Sequence, residues 1–280
     1  MYGERYHGCP SRTSYLYNGK GVIKMSVQSH RRIHFLDEVR GFAVLCMVVQ
    51  HGLYCLGYIY KYVVAQKLFQ FFFPATPFFA AAFVIISGMV SQLSRSNLKR
   101  GLRLLVVALG MTLVTWIALP DFVIMFGVLH MLSVCMILFG LLQKPMEKVP
   151  LWLGLAVCVI GFTLTAGLRL QIPYAGVPGV PELQWSAVQE WGDWLFPIGI
   201  RTPEFHSSDY YPLFPWIFAF FGGGLLGRYV AKEKLPEWMY RPHAAVFSWV
   251  GRHALLFYIL HQPIIMGCAQ VALFIYGKIV

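Results

Sequence analysis

Seven stretches of the chain are apolar over close to the 20 residues a helix needs to cross a bilayer. They lie at approximately 41–60, 69–92, 102–119, 122–142, 150–170, 212–230 and 246–276. The third is short, and the last is long enough to tilt or project. The first 30 residues are polar and aromatic with no apolar core, so no signal peptide is read there. The pattern predicts an all-α protein, a polytopic transmembrane helix bundle of about seven spans. It divides into a flexible cytoplasmic N-terminus at 1–30 and a single transmembrane domain at 31–280. Met25, just before the basic stretch Ser29–Arg32, is a candidate alternative start of translation.

Composition agrees with the pattern. Of 280 residues, 58% are hydrophobic and 12% charged, against about 45–50% and about 25% in soluble domains. A soluble protein of this size would have almost no polar exterior left, and a disordered chain or a disulfide-stapled mini-domain is excluded on the same ground. Lys and Arg number 23 against 12 acids, an excess that in a soluble protein would suggest nucleic acid. Here it sorts by side of the membrane. The N-terminus, the loop around Arg95–Arg103, Lys144 and Lys148, and the stretch from Arg228 to Arg252 together hold eighteen of the basic residues, and the alternate loops hold five. Basic residues gather in cytoplasmic loops, so the N-terminus is predicted inside and the C-terminus outside, with the cell (inner) membrane as location and no nucleic-acid partner. Five of six cysteines fall in or beside apolar runs, Cys9 stands alone, and none has metal-ligand spacing; no metal is expected.

The one long loop, 171–211, is predicted outside. It carries Glu182, Glu190, Asp193, Glu204 and Asp209 together with Trp185, Trp191 and Trp194, a tryptophan spacing that suggests a helix lying at headgroup depth. Loops of this length are usually functional.

Polar groups within apolar spans are costly and point to function. His51 falls about halfway along the first span. Arg40, eleven residues earlier, points the same way on a helix and lies about 16 Å from it along the axis. Asp37 is one turn below Arg40 on nearly the same face. One helix would thus offer a cation at the cytoplasmic mouth and an imidazole at the midplane, which suits an anionic cofactor with a long arm; a structural histidine and a plain inside anchor explain the pair equally well. His130 is expected near the middle of the fourth span and His261 in the outer half of the seventh, where Pro263 frees a backbone carbonyl. Ser207-Ser208-Asp209-Tyr210-Tyr211-Pro212 leads into the sixth span with an acid, hydroxyls and rings, as sugar or amine recognition uses; an interfacial aromatic belt is the alternative, and it suits Tyr211 and Trp216 better than Asp209. Arg95, Lys99, Arg100 and Arg103 are inside anchors or a phosphate site. Gly222-Gly223-Gly224 and Gly227 permit close helix contact.

In chain order, Leu36-Asp37-Glu38-Val39-Arg40-Gly41 with His51, Ser87-Gly88, Lys99-Arg100-Gly101-Leu102-Arg103, Thr112-Leu113-Val114-Thr115-Trp116, Phe126-Gly127-Val128-Leu129-His130-Met131, Ser208-Asp209-Tyr210-Tyr211-Pro212 and Gly251-Arg252-His253-Ala254-Leu255-Leu256-Phe257-Tyr258-Ile259-Leu260-His261-Gln262-Pro263 resemble the bacterial branch of the heparan-alpha-glucosaminide N-acetyltransferase catalytic-domain family. The resemblance covers roughly 31–270. It implies a membrane acyltransferase that takes an acetyl group from cytoplasmic acetyl-CoA and passes it to an amino-sugar or other glycan acceptor outside. By that resemblance His51 would be catalytic, Arg40, Arg100 and Arg103 would bind the donor, and Asp209, Tyr210, His130, His261 and Gln262 would hold the acceptor. The chain departs from the lysosomal relatives at position 51, where they carry asparagine and place their histidine in the following segment; here Gly52–Gln70 has none. A proton-coupled transporter with a histidine-lined chamber, and a structural membrane subunit, are the rival classes, and CoA binding separates them from the enzyme. A homo-oligomer is compatible with the sequence, since lipid-facing and subunit-facing surfaces look alike.

Overall fold

The computed structural model describes residues 13–18, 21–26, 32–167, 192–200, 205–232 and 235–279. Contacts divide the chain into an N-terminal unit, Met1–Arg32, and a helical unit, Ile33–Val280. In the N-terminal unit, β1 (Thr13–Asn18) pairs antiparallel with β2 (Gly21–Ser26), Thr13 opposite Ser26 and Asn18 opposite Gly21. This hairpin stands in the stretch that the sequence reads as a flexible tail.

The helical unit runs α1 (His34–Tyr54), α2 (Val63–Phe72), α3 (Thr76–Ser91), α4 (Asn97–Ala118), α5 (Val128–Glu147), α6 (Leu151–Gly167), the short α7 (Gly192–Leu195), α8 (Leu213–Ala231), α9 (Ala245–Arg252) and α10 (Ala254–Ile279). Among the described residues six helical segments are long and apolar enough to cross a membrane, and Leu151–Ala166 is a shorter apolar helix. Each apolar run read from the sequence therefore contains a helix among the described residues. Along α4, Val106, Leu109, Leu113, Val114, Trp116 and Ile117 are exposed on the protein surface. A patch that size would drive association in water and is at home against lipid.

Several boundaries move, each for a local reason. The third span starts earlier than 102 because Ser96 caps α4, its Oγ accepting the Lys99 N–H at 3.3 Å. The fourth starts later than 122: Pro120–Phe122 form a 3-10 turn and Gly127 is extended, so α5 begins at Val128. His130 consequently lies in the first turn of α5 and not mid-span. The final run, 246–276, is two helices that break at His253 (φ −107°, ψ 21°). His261 then falls near the middle of the span Ala254–Val271 rather than in its outer half. In the long loop, residues 171–191 and 201–204 lie outside the described residues, and with them Glu182, Glu190, Glu204 and the helix expected around Trp185 and Trp191. Asp193 and the highly exposed Trp194 are in α7.

The core joins α3, α5 and α8 through Val84, Met131, Cys135, Phe139, Trp216 and Phe220. Glycines set the spacing of α3 and α8: a Cβ on Gly88 would strike the Phe220 carbonyl, and one on Gly223 the Ile85 carbonyl. This is backbone-to-backbone packing by small residues, as membrane bundles use. Arg228 of α8 donates to the Val149 carbonyl at 2.9 Å and to the Met146 carbonyl. It thereby satisfies carbonyls near the α5 C-terminus, where a cation is also favoured by the helix dipole.

Candidate active site

The site is built on α1, an unbroken helix from His34 to Tyr54, so the helical arithmetic linking Arg40 to His51 holds. Two contacts fix how α3 lies against it. Gln50 donates to the Thr76 hydroxyl at one end, and Ile33 and Leu36 share an apolar cluster with Ile86 at the other. The helices are therefore antiparallel, and the Arg40 end of α1 meets the Ser91 end of α3. Asn97, at the start of α4, donates to the Ser91 carbonyl at 2.9 Å. That brings Arg100 and Arg103 to the same end.

A fourth cation arrives by a different route. Glu38 is buried, and its Oε1 accepts the backbone N–H of His243 at 2.7 Å and of Ala244 at 2.9 Å. It caps α9 from a neighbouring helix, a function α9 cannot supply from its own cap residue Ala244. Gly41 and Gly251 then let α1 and α9 touch through their backbones. Arg252, the last residue of α9, is thus held at the level of Arg40.

Between these arginines and His51 lies a cavity of ≈ 440 Å³, within the usual size of a small-ligand site. Arg40, Arg100, Arg103 and Arg252 line one end, and His51, Gln50, Thr76, Asp209, Tyr211 and Tyr258 line the other. The walls between are apolar, among them Val44, Met47, Phe83, Leu104, Leu129 and Leu132. Arg40 lies 3.8 Å from Asp37. Among the described residues the His51 ring makes no hydrogen bond to protein; its ring centre stands 5.0 Å from that of His261, edge to face.

The far end is held by a zipper of backbone and side-chain bonds. Ser208 N–H donates to the Val123 carbonyl at 3.0 Å, Tyr211 N–H to Phe126 at 2.9 Å, and Met125 N–H to the Ser207 hydroxyl at 3.1 Å. This lays Ser207–Tyr211 along Val123–Val128. It sets Asp209 at the N-terminus of α5, where its Oδ2 accepts the Val128 N–H at 3.1 Å and also the Tyr258 hydroxyl. A carboxylate is favoured there by the helix dipole. Gly127 is glycine for the same reason, since a Cβ would fall 2.6 Å from Asp209 Oδ2.

The site residues expected from sequence do not all meet. Arg40, Arg100, Arg103, His51 and Asp209 share the cavity. His130 does not line it. Its Nδ1 accepts the Gly127 N–H at 3.2 Å, which leaves the proton on Nε2, facing the Thr112 hydroxyl at 3.2 Å. Both ring nitrogens are spent on holding the start of α5. Tyr210 donates its hydroxyl to the Phe196 carbonyl at 2.6 Å. Gln262 is off the cavity, and its buried Oε1 has no hydrogen-bond partner among the described residues. His261 stands behind His51, its Nδ1 2.7 Å from the Tyr258 carbonyl. Arg252 and Tyr258 line the cavity although the sequence does not single them out as site residues. Their signal is spacing: Tyr258 precedes His261 by one helical turn, and Arg252 follows the glycine that meets α1. Among the described residues no three His, Cys, Asp or Glu side chains gather as metal ligands do.

The family model described as heparan-alpha-glucosaminide N-acetyltransferase, catalytic, matches residues 32–263. No curated protein and no solved structure matches the chain. The matched range takes in every cavity residue from Arg40 to Tyr258, and the helices that carry them are those of a multi-pass membrane protein. The chain belongs to the heparan-alpha-glucosaminide N-acetyltransferase catalytic family and is a membrane acetyltransferase in kind.

Proposed function

We propose that the chain moves an acetyl group from cytoplasmic acetyl-CoA to an amino-sugar or other glycan acceptor on the outer side of the inner membrane, with the N-terminus inside. The observation that carries this is the single cavity with four arginines at one end and His51, about three helical turns away, at the other. Phosphates of the donor suit the arginine end, because guanidinium groups pair with phosphate through a planar fork. The apolar walls suit a pantetheine arm, and the distance suits a thioester delivered to His51. Neutral imidazole there takes the acceptor's proton as the acceptor attacks, or takes the acetyl itself and hands it on. Asp209, at the far end, is within the same cavity and is available to the acceptor. A proton-coupled transporter accounts for the histidines but gives the arginines that share the cavity with His51 no role beyond anchoring.

Purified protein in detergent is expected to bind CoA and to transfer label from acetyl-CoA to glucosamine. Absence of both CoA binding and transfer would sink the proposal, whereas tight CoA binding without transfer would remove only glucosamine as the acceptor. Arg252→Ala is expected to raise the KM for acetyl-CoA by about 10–100-fold, the worth of one or two charge-assisted hydrogen bonds, and to leave the acceptor KM unchanged. Arg252→Lys recovers part of the loss because it keeps the charge and loses the fork. An acetyl-CoA KM unmoved by Arg252→Ala would take Arg252 out of the donor site.

A further inference from the structure

His51 presents one side to the cavity and the other to His261. His261 is buried, at 9% exposure, and does not line the cavity. Its Nδ1 is 2.7 Å from the Tyr258 carbonyl and 3.2 Å from the Phe257 carbonyl. Carbonyl oxygens only accept, so the neutral ring carries its proton on Nδ1 and its lone pair on Nε2. Tyr258 is itself anchored by its hydroxyl to Asp209, which the Val128 N–H holds in turn. The turn of α10 that bears His261 is therefore pinned from two sides, and its one free ring atom is a hydrogen-bond acceptor.

The separation of the two rings is the one such a bond requires. An N–H···N hydrogen bond of about 2.9 Å, plus about 1.1 Å from each ring centre to its nitrogen, comes to roughly 5 Å. The ring centres are 5.0 Å apart. In the structure the rings meet edge to face, 72° between planes, and no hydrogen bond joins them. The bond forms when the His51 ring reorients at the cavity edge so that an N–H lies in line with the His261 lone pair.

We infer that His261 is the positioning partner of His51: it accepts the N–H of the ring face turned away from the cavity, fixes the tautomer that leaves the cavity-facing nitrogen unprotonated, and shares the positive charge that His51 acquires. This rests on the proposed role of His51. In the step, the acceptor's nitrogen or oxygen bonds to the acetyl carbon while the carbon–sulfur bond breaks. The acceptor's proton goes to His51 and from there to the departing sulfur. His261 neither gains nor loses a proton over the cycle. It does for His51 what an orienting group does for the base of a catalytic triad.

The test uses the full chain in detergent, with CoA affinity, thermal stability and steady-state transfer from labelled acetyl-CoA to glucosamine measured on His261→Phe and His261→Gln. His261→Phe keeps an aromatic ring and offers no acceptor. It is expected to lose about 10–100-fold in kcat, below the full contribution of a general base, with CoA affinity and both KM values within about twofold of wild type. His261→Gln offers an amide oxygen to the same N–H and is expected to keep several-fold more kcat than His261→Phe. Unchanged kcat in His261→Phe overturns the inference, as does equal loss in both variants or a loss that falls on KM. His51→Ala separates this result from the larger proposal. If it stays active, the base itself is misassigned; if it is inactive while His261→Phe is normal, only the partner is lost.

Discussion

His51→Ala is expected to lower acetyl transfer by about 10²–10⁴-fold, the range for loss of a positioned general base, which corresponds to roughly 3–5 kcal/mol of barrier. The fold has little to lose by the change. Among the described residues His51 holds no protein hydrogen bond, and it borders a cavity, so its removal enlarges a space already there and leaves at most the His261 lone pair without its donor. Melting temperature should stay near wild type. Donor affinity should stay as well, because the arginines lie about three turns of α1 away. His51→Gln sharpens the result. Glutamine fills similar volume and hydrogen-bonds, yet accepts no proton at these pH values, so it should be as inactive as alanine. If His51→Gln transfers at a rate near wild type with His51→Ala inactive, the imidazole serves only to shape the cavity and the proton goes elsewhere.

Much of the scaffold is readable from the amino-acid sequence because the bilayer sets a length for its helices. Runs of apolar residues depend on composition alone, and the helices fall where those runs are. Ends are harder. In the run 246–276 Gly251-Arg252-His253 interrupts the apolar pattern only briefly, too little to announce the break where α9 and α10 separate. What breaks the helix is a tertiary demand: Glu38 and Gly41 dock α9 on α1, and α10 must leave in another direction. The late start of α5 is similar. Thr115 Oγ1 accepts the Ile124 N–H at 3.1 Å and Thr112 donates to the Ile124 carbonyl at 2.6 Å. Two threonines of α4 thus hold in extended form a stretch that reads as helix by hydropathy.

The site is legible where one element determines it. Arg40 and His51 are on one helix, so periodicity puts them on one face, and the structure adds a cavity alongside. Residues whose roles depend on neighbours are not. His130 and Tyr210 are polar groups in an apolar setting, and sequence gives the same signal whether such a group lines a cavity or satisfies a helix end. Their partners, the Gly127 N–H and the Phe196 carbonyl, are backbone groups with no sequence identity to betray them. Arg252 is hidden by a rule that works too well: the positive-inside expectation explains any arginine on the basic-rich side of the spans and cannot single out the one that lines the cavity with Arg40. Tyr258 is hidden likewise, since tyrosine in a spanning helix passes for interfacial belt until Asp209 is found against its hydroxyl.

Gly41→Ala is expected to lower thermal stability and CoA affinity together. A Cβ at Gly41 would collide with the Phe247 carbonyl oxygen, and would lie 2.7 Å from its carbon and 2.8 Å from the Gly251 nitrogen. These are backbone atoms of α9, so no side chain can swing aside, and α9 itself must retreat. Overpacking costs about 1–3 kcal/mol where side chains absorb it, and a backbone obstacle places Gly41→Ala toward the upper end. Apolar surface gives no help in closing the gap, because lipid tails are as good a neighbour as a helix. As α9 moves, Glu38 loses its short bonds to the His243 and Ala244 N–H groups, leaving a buried carboxylate without those donors. Arg252 withdraws from Arg40 at the same moment. Gly110→Ala on α4 is the control, since a Cβ there meets nothing within 4 Å and alanine favours a helix by about 1 kcal/mol over glycine; it should be neutral or slightly stabilising. Equal stability and equal CoA affinity in the two variants would show that the α1–α9 contact does not set the arginine mouth. A drop in stability with CoA affinity intact would keep the contact and remove Arg252 from the donor site, the same conclusion that an unmoved KM in Arg252→Ala would reach by an independent route.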